Sequence, residues 1–153
     1  MSIGEAQAEA VATRWIERTL ASYPAGSIPV PGGARDRFRA PAGYTIRQTL
    51  ATLARELLGG MDELVMAQAL DAIVRLRAVQ GFAPSEAIGF VFDLREASAE
   101  ARGALPPDLD GRIDRLARMA FDQYMACRDQ VAALREKELR MRLHYAVNSR
   151  MEP

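Results

Sequence analysis

Residues Ile73 to Phe92 read IVRLRAVQGFAPSEAIGFVF, and the fold class turns on this stretch. Apolar residues fall at Ile73, Val74 and Leu76, then resume at Ile88, Val91, Phe92 and Leu94, with the three-and-four spacing of helices that bury one face. Between the two runs, Gly81 can take the left-handed conformation that closes a helix. Pro84 fits the first turn of the next helix, and Glu86 there complements the helix dipole. The stretch therefore predicts helix, break, helix. Arg75, Arg77 and Gln80 sit inside its apolar pattern. Arg75 follows Asp71 by four residues, so the two can pair along one face. Arg77 lines up with Leu70, Ile73 and Gln80, nearer the apolar stripe, where a guanidinium needs a partner. Asp93 and Glu96 on the following helix and Asp36 in a preceding loop are candidates. The expected role is a structural arginine that ties the loop to the helices. The functional alternative is a polar pocket for a small anionic signal, built from Asp36, Arg37, Asp71, Arg75, Arg77 and Gln80.

Outward from this hairpin the same periodicity continues. A first helix is expected from about Glu5 to Ser22, with Trp15, Ile16, Thr19 and Leu20 on one face. Tyr23-Pro24 ends it, because the residue before proline disfavours helix. A second helix starts from an N-cap at Thr45, carries Ile46, Leu50, Leu53, Leu57 and Leu58, and stops at Gly59-Gly60. The third runs from about Met61 to Gln80 and adds Leu64 and Val65 to its apolar list. The fourth fades near Gly103, and Pro106-Pro107 follows. Ala25 to Gly43 is the one long irregular stretch, and it holds Arg35-Asp-Arg-Phe-Arg39. A loop this long inside a compact domain is usually functional or a packed cover. No strand alternation appears. The expectation is an all-α helical bundle of about five helices, a single domain over residues 1–153 with its core at about 15–105.

The last helix, from about residue 109 to 149, carries the longest pattern. Ile113, Ala117, Ala120, Tyr124, Cys127, Val131, Leu134, Met141 and Tyr145 recur at alternating three and four, with Glu138 as the one charged interruption. Such a heptad stripe reads as a coiled-coil or bundle seam. A helix of about 40 residues spans roughly 60 Å, more than the diameter of a domain this size. Its far end is therefore expected to project and meet a partner chain, the alternative being a helix that breaks and folds back. Tyr124, Cys127, Val131, Leu134, Met141 and Tyr145 form the expected partner-binding seam, and a homo-oligomer, most simply a dimer, is expected.

Composition narrows the function. Twenty basic residues balance twenty acidic ones over 153 residues. That balance gives no electrostatic case for nucleic acid or anionic lipid. The single cysteine, Cys127, allows no intrachain disulfide and no thiolate cluster. It is expected as a buried small hydrophobe rather than a redox sensor. The single histidine, His144, has no second ligand beside it, so no metal or haem site is expected. Gly32-Gly33 lacks the lead-in strand and the Gly-Lys-Ser/Thr of a phosphate loop. No nucleophile elbow appears. No enzyme and no cofactor are expected. Met1 to Ala10 carries acids and no apolar core, so no signal peptide is expected. No apolar run reaches membrane-spanning length. The expected location is the cytoplasm, without direct membrane insertion.

Three clusters carry a resemblance: Asp36-Arg-Phe38 with Pro41-x-Gly43, then Asp71-x-Ile-Val-Arg75-x-Arg-Ala-Val-Gln80-x-Phe-x-Pro-Ser85, then Gly89-Phe-x-Phe92-x-Leu94. With Phe121-Asp-x-Tyr-Met-x-Cys-Arg128 and Leu134-Arg-x-x-Glu138 in the tail, the chain from about Trp15 to Arg142 resembles the N-terminal domain of RsbRD-type proteins. These are the RsbT co-antagonists of bacterial stress signalling. The resemblance implies an all-helical regulatory, ligand-sensing or scaffolding module that acts through protein contacts and has no known catalysis. In multidomain relatives this domain precedes a STAS domain or a DNA-binding output domain. Here the expectation is a stand-alone member. STAS-domain proteins are therefore implied as partners. Single-domain relatives imply a second role, as accessories of membrane redox complexes in sulfur metabolism.

Overall fold

The structure, a computed structural model, describes residues 3–23, 41–101 and 105–151, and within them the chain forms five helices and no strands. They are α1 (Ile3–Ala21), α2 (Pro41–Leu58), α3 (Glu63–Val79), α4 (Pro84–Glu100) and α5 (Leu109–Asn148). The all-α bundle expected from periodicity is the observed fold. The long irregular stretch, with Asp36 and Arg37, lies outside the described residues up to residue 40.

The starts of α2 and α3 differ from the sequence reading in a way that capping explains. α2 begins at Pro41 rather than after Thr45. Proline tolerates the first helical turn because its missing N–H would be unpaired there anyway, so the cap signal at Thr45 falls inside the helix. α3 begins after Asp62, whose carboxylate accepts from the backbone N–H of Leu64 and Val65. That is an ordinary N-cap. Met61 just before it sits at φ 56, a left-handed conformation in a non-glycine residue. Its N–H donates to the Glu56 carbonyl at 2.9 Å, which holds the turn in place.

The core is one cluster drawn from all five helices: Val11 and Trp15, then Ile46, Leu50, Leu53 and Leu57, then Met66, Leu70 and Ile73, then Phe90, Val91 and Leu94, then Ile113, Leu116 and Ala120. Each set follows the helical period. Leu64 and Phe92, which the apolar pattern placed with the core, are exposed at 69% and 42%. On α3 the buried stripe runs Met66, Leu70, Ile73, Val74 and Arg77, so Leu64 falls on the far side. α1 packs on α2 and α4, and α5 packs on α3 and α4, while consecutive α3 and α4 touch each other little. Arg112 near the start of α5 donates to the Leu57 and Gly59 carbonyls, closing the C-terminus of α2. Cations in this position satisfy the carbonyls a helix end leaves open.

α5 is one continuous helix. Leu109, Ile113, Leu116, Ala120, Tyr124 and Cys127 are its buried residues. From Ala132 to Met151 every residue is exposed. The second half of α5 projects from the bundle as a bare arm.

Candidate functional site

Arg77 lies on the inner stripe of α3 and is 1% exposed, the only charged side chain buried among the described residues. Sequence reasoning offered Asp93, Glu96 or Asp36 as its partner. The partners found among the described residues are neutral oxygens. Nε donates to the Tyr23 hydroxyl at 3.1 Å and Nη1 to the Glu86 carbonyl at 2.8 Å. Nη2 is buried and has no acceptor among the described residues. The guanidinium carbon stands 5.0, 5.0 and 5.1 Å from the ring centroids of Tyr23, Phe82 and Phe90. Three ring faces supply cation–π attraction in place of a carboxylate. Burial pulls the Arg77 guanidinium down from its usual range, opposed by Tyr23 and then Asp93. Burial likewise pushes the Tyr23 hydroxyl up, against the pull of Arg77.

A cavity of about 630 Å³ opens beside Arg77, lined among others by Tyr23, Gln80, Phe82, Phe90 and Asp93. It forms where the end of α1, the α3–α4 hinge and the face of α4 converge. Gly81, at φ 77, makes that hinge. Ala83 has no side-chain acceptor to cap α4, and Glu86 instead reaches back to the Ala83 N–H at 3.1 Å. Asp93 is half-buried, and burial pushes its carboxyl above the usual aspartate range, with Arg18 and Arg77 pulling the other way. Glu96 turns outward to pair with Arg18.

Of the polar cluster expected from the sequence, Asp36 and Arg37 lie outside the described residues, and the other four fall on two faces. Arg77 and Gln80 share the cavity. Asp71 and Arg75 form a surface pair at 2.7 Å on another face, and Arg75 also reaches Gln130 of α5 at 3.5 Å. The physical reason is the helical turn: two residues apart on α3 means roughly opposite sides. Gln80 is the exposed C-cap of α3. Tyr23, Phe82 and Phe90 were missed as site residues. Tyr23-Pro24 read only as a helix end, although an aromatic residue beside Gly81 was a signal for the hinge.

The arm is the second candidate surface. Tyr124 and Cys127, placed on the partner seam by their spacing, are covered by the protein's own bundle. The Tyr124 hydroxyl donates to the Phe82 carbonyl at 2.7 Å, binding α5 to the hinge. The seam left open begins at Val131. Beyond it Leu134, Met141 and Tyr145 are 67%, 51% and 70% exposed. Arg128, Arg135 and Arg142 follow the same side of the stripe at seven-residue intervals, and Lys137 lies on its other side. Arg135 and Lys137 have no carboxylate partner among the described residues, whereas Arg142 pairs with Glu138 and Arg140 with Glu136. Counting residues 128–151, six cations (Arg128, Arg135, Lys137, Arg140, Arg142, Arg150) face three acids (Asp129, Glu136, Glu138), a net +3 on a chain that is neutral overall.

The described residues thus form a five-helix bundle with an exposed, charged arm and a cavity beside a buried guanidinium. Residues 9–139 match the family model of the RsbT co-antagonist protein rsbRD N-terminal domain, and the chain belongs to that family of regulatory domains. No curated protein and no solved structure matches the chain. Among the described residues no helix is long and apolar enough to cross a membrane.

Proposed function

We propose that the chain is a non-catalytic regulatory module that docks a protein partner along the exposed half of α5. The observation that carries this reading is the arm itself. Apolar side chains on a solvent-facing helix continue the spacing that the bundle covers in the first half of the same helix. An exposed apolar stripe with charged flanks marks an interaction surface.

The flanking charge favours a partner of a particular chemistry. With Val131, Glu138 and Tyr145 at one seam position and Leu134 and Met141 at the other, the flanking positions hold Arg128, Arg135 and Arg142 on one side and Lys137 and His144 on the other. Such flanking positions set partner choice in helical pairs. A second copy would bring like charges together in either orientation, and in a parallel pair would set Glu138 against Glu138. An amphipathic helix with acidic flanks complements the arm. STAS-domain and redox-complex proteins, the partners implied by the resemblance, are the proteins whose acidic helices are worth trying, and a cytoplasmic setting goes with this reading.

The test uses the full chain and a labelled helix-forming peptide of about four heptads with leucine at the seam and glutamate at both flanks. Saturable binding that weakens with salt is expected, and binding should be lost in the Arg135→Glu, Arg142→Glu double variant. A matched peptide with lysine flanks should not bind. Equal binding of both peptides, or sedimentation as a dimer that Leu134→Glu dissociates, would sink this reading.

A further inference from the structure

A guanidinium keeps its charge at any ordinary pH, and burying a charge is costly unless it is paired. Arg77 is covered, yet no carboxylate among the described residues lies within ion-pair distance of it. Among the described residues its two acceptors are a phenol and a peptide carbonyl, and the two N–H groups of Nη2 have none. In native proteins an orphaned buried donor of this kind calls for an explanation, and an ion or ligand is one of them. Here a cavity of about 630 Å³ adjoins it, inside the range of small-molecule sites, which are apolar hollows with a few convergent polar groups. Tyr23, Phe82 and Phe90 form the apolar walls, and Gln80 and Ser22 stand on the lining as neutral hydrogen-bonding groups.

We infer that this cavity binds a small organic monocarboxylate, its carboxylate on Arg77 Nη2 and its flat or apolar body against Phe82 and Phe90. A carboxylate supplies an acceptor for Nη2 and a counter-charge within ion-pair distance, which Asp93 does not provide. A dianion such as phosphate is disfavoured, because Asp93 lines the same cavity and repels a second negative charge. Nη2 is shielded from water in the free protein, so the ligand reaches it by displacing the edge of Tyr23 or Phe82. This inference is independent of the arm.

Trp15 is the only tryptophan, and it stacks on Phe90 with centroids 6.1 Å apart while its Nε1 donates to the Phe90 carbonyl. Its fluorescence is therefore a local reporter. Benzoate and hexanoate would be titrated into the full chain, with benzamide and inorganic phosphate as controls, reading Trp15 emission and Tm. Saturable change with at least one carboxylate by about 10 mM, the range of fragment-sized ligands, is expected, together with a rise in Tm. Benzamide and phosphate should be silent. The Arg77→Met variant, which loses the hydrogen bonds to Tyr23 and the Glu86 carbonyl along with the buried charge, should ignore every probe once its fold is checked by circular dichroism. Asp93→Asn should tighten carboxylate binding by about three- to tenfold. The inference is overturned if neither carboxylate responds, if benzamide or phosphate matches them, or if Arg77→Met still responds. Should Arg77→Met not fold, the benzamide control and Asp93→Asn decide alone: unchanged affinity in Asp93→Asn overturns it.

Discussion

The two halves of α5 have the same spacing and opposite fates. From Leu109 to Cys127 the stripe is buried by α3 and α4. From Ala132 to Met151 no residue is covered. One helix thus serves as core in one half and as bare surface in the other. The heptad pattern specifies a face that wants covering; it does not specify which chain covers it. The two halves should therefore answer the same substitutions very differently.

The largest contrast is in apolar truncation. Leu116→Ala, at a fully buried site, should cost about 2–5 kcal/mol in denaturant unfolding. Leu134→Ala, in the arm, should change stability by no more than about 0.5 kcal/mol. Equal losses would mean that the arm is packed in solution.

Next comes the junction between the halves. Tyr124→Phe removes the hydrogen bond to the Phe82 carbonyl and leaves a partly buried acceptor unpaired, at a cost of about 1–3 kcal/mol. Hydrogen exchange should show the Gly81–Pro84 hinge opening faster in that variant, with the arm unchanged.

Acid should loosen one tie in the body. The Glu100 carboxyl is held below its usual range, chiefly by its hydrogen bond from Arg18 and further by Arg14, against some desolvation. A carboxylate with a depressed folded pKa stabilises the fold above its unfolded pKa, and that contribution disappears as the pH falls through the folded value. Melting curves of the native chain and Arg18→Ala should differ at neutral pH and converge as the pH drops from about 5 to below 4. A constant gap would remove the electrostatic account of this tie between α1 and α4.

The smallest effect belongs to the arm's own ion pairs. Arg140 with Glu136 and Arg142 with Glu138 are exposed pairs four residues apart. Breaking either should cost about 0.3–0.5 kcal/mol of helix stability. Circular dichroism should detect no more than slight fraying of the C-terminal turns.

Much of the fold was legible in the sequence. Trp15, Leu50, Leu70 and Ile113 announce their buried faces by local spacing, and Gly81 and Pro84 mark the hinge. Asp71 with Arg75 was legible too, because a pair four residues apart on a helix needs nothing beyond the helix. The surroundings of Arg77 were not. Its partners come from α1, the hinge and α4, at sequence separations of up to 54 residues. A search for opposite charge pointed to Asp93, Glu96 and Asp36; Asp36 lies outside the described residues, and among those described Arg77 meets a phenol, a peptide carbonyl and three rings. Leu64 misled for a simpler reason: a leucine at a helix start has the composition of a core residue but not the angle of the stripe.

The sequence by itself determined the helices, their breaks, the inward position of Arg77 and the length of the last helix, because each follows from the rotation per residue and from the conformational limits of glycine and proline. Only the tertiary structure decided that Arg77 is wrapped in aromatic rings without a carboxylate among the described residues. It alone decided that the seam of α5 opens at Val131. Both are matters of which distant surface comes to lie over a given face, and a periodic pattern carries the direction of that face without naming what meets it.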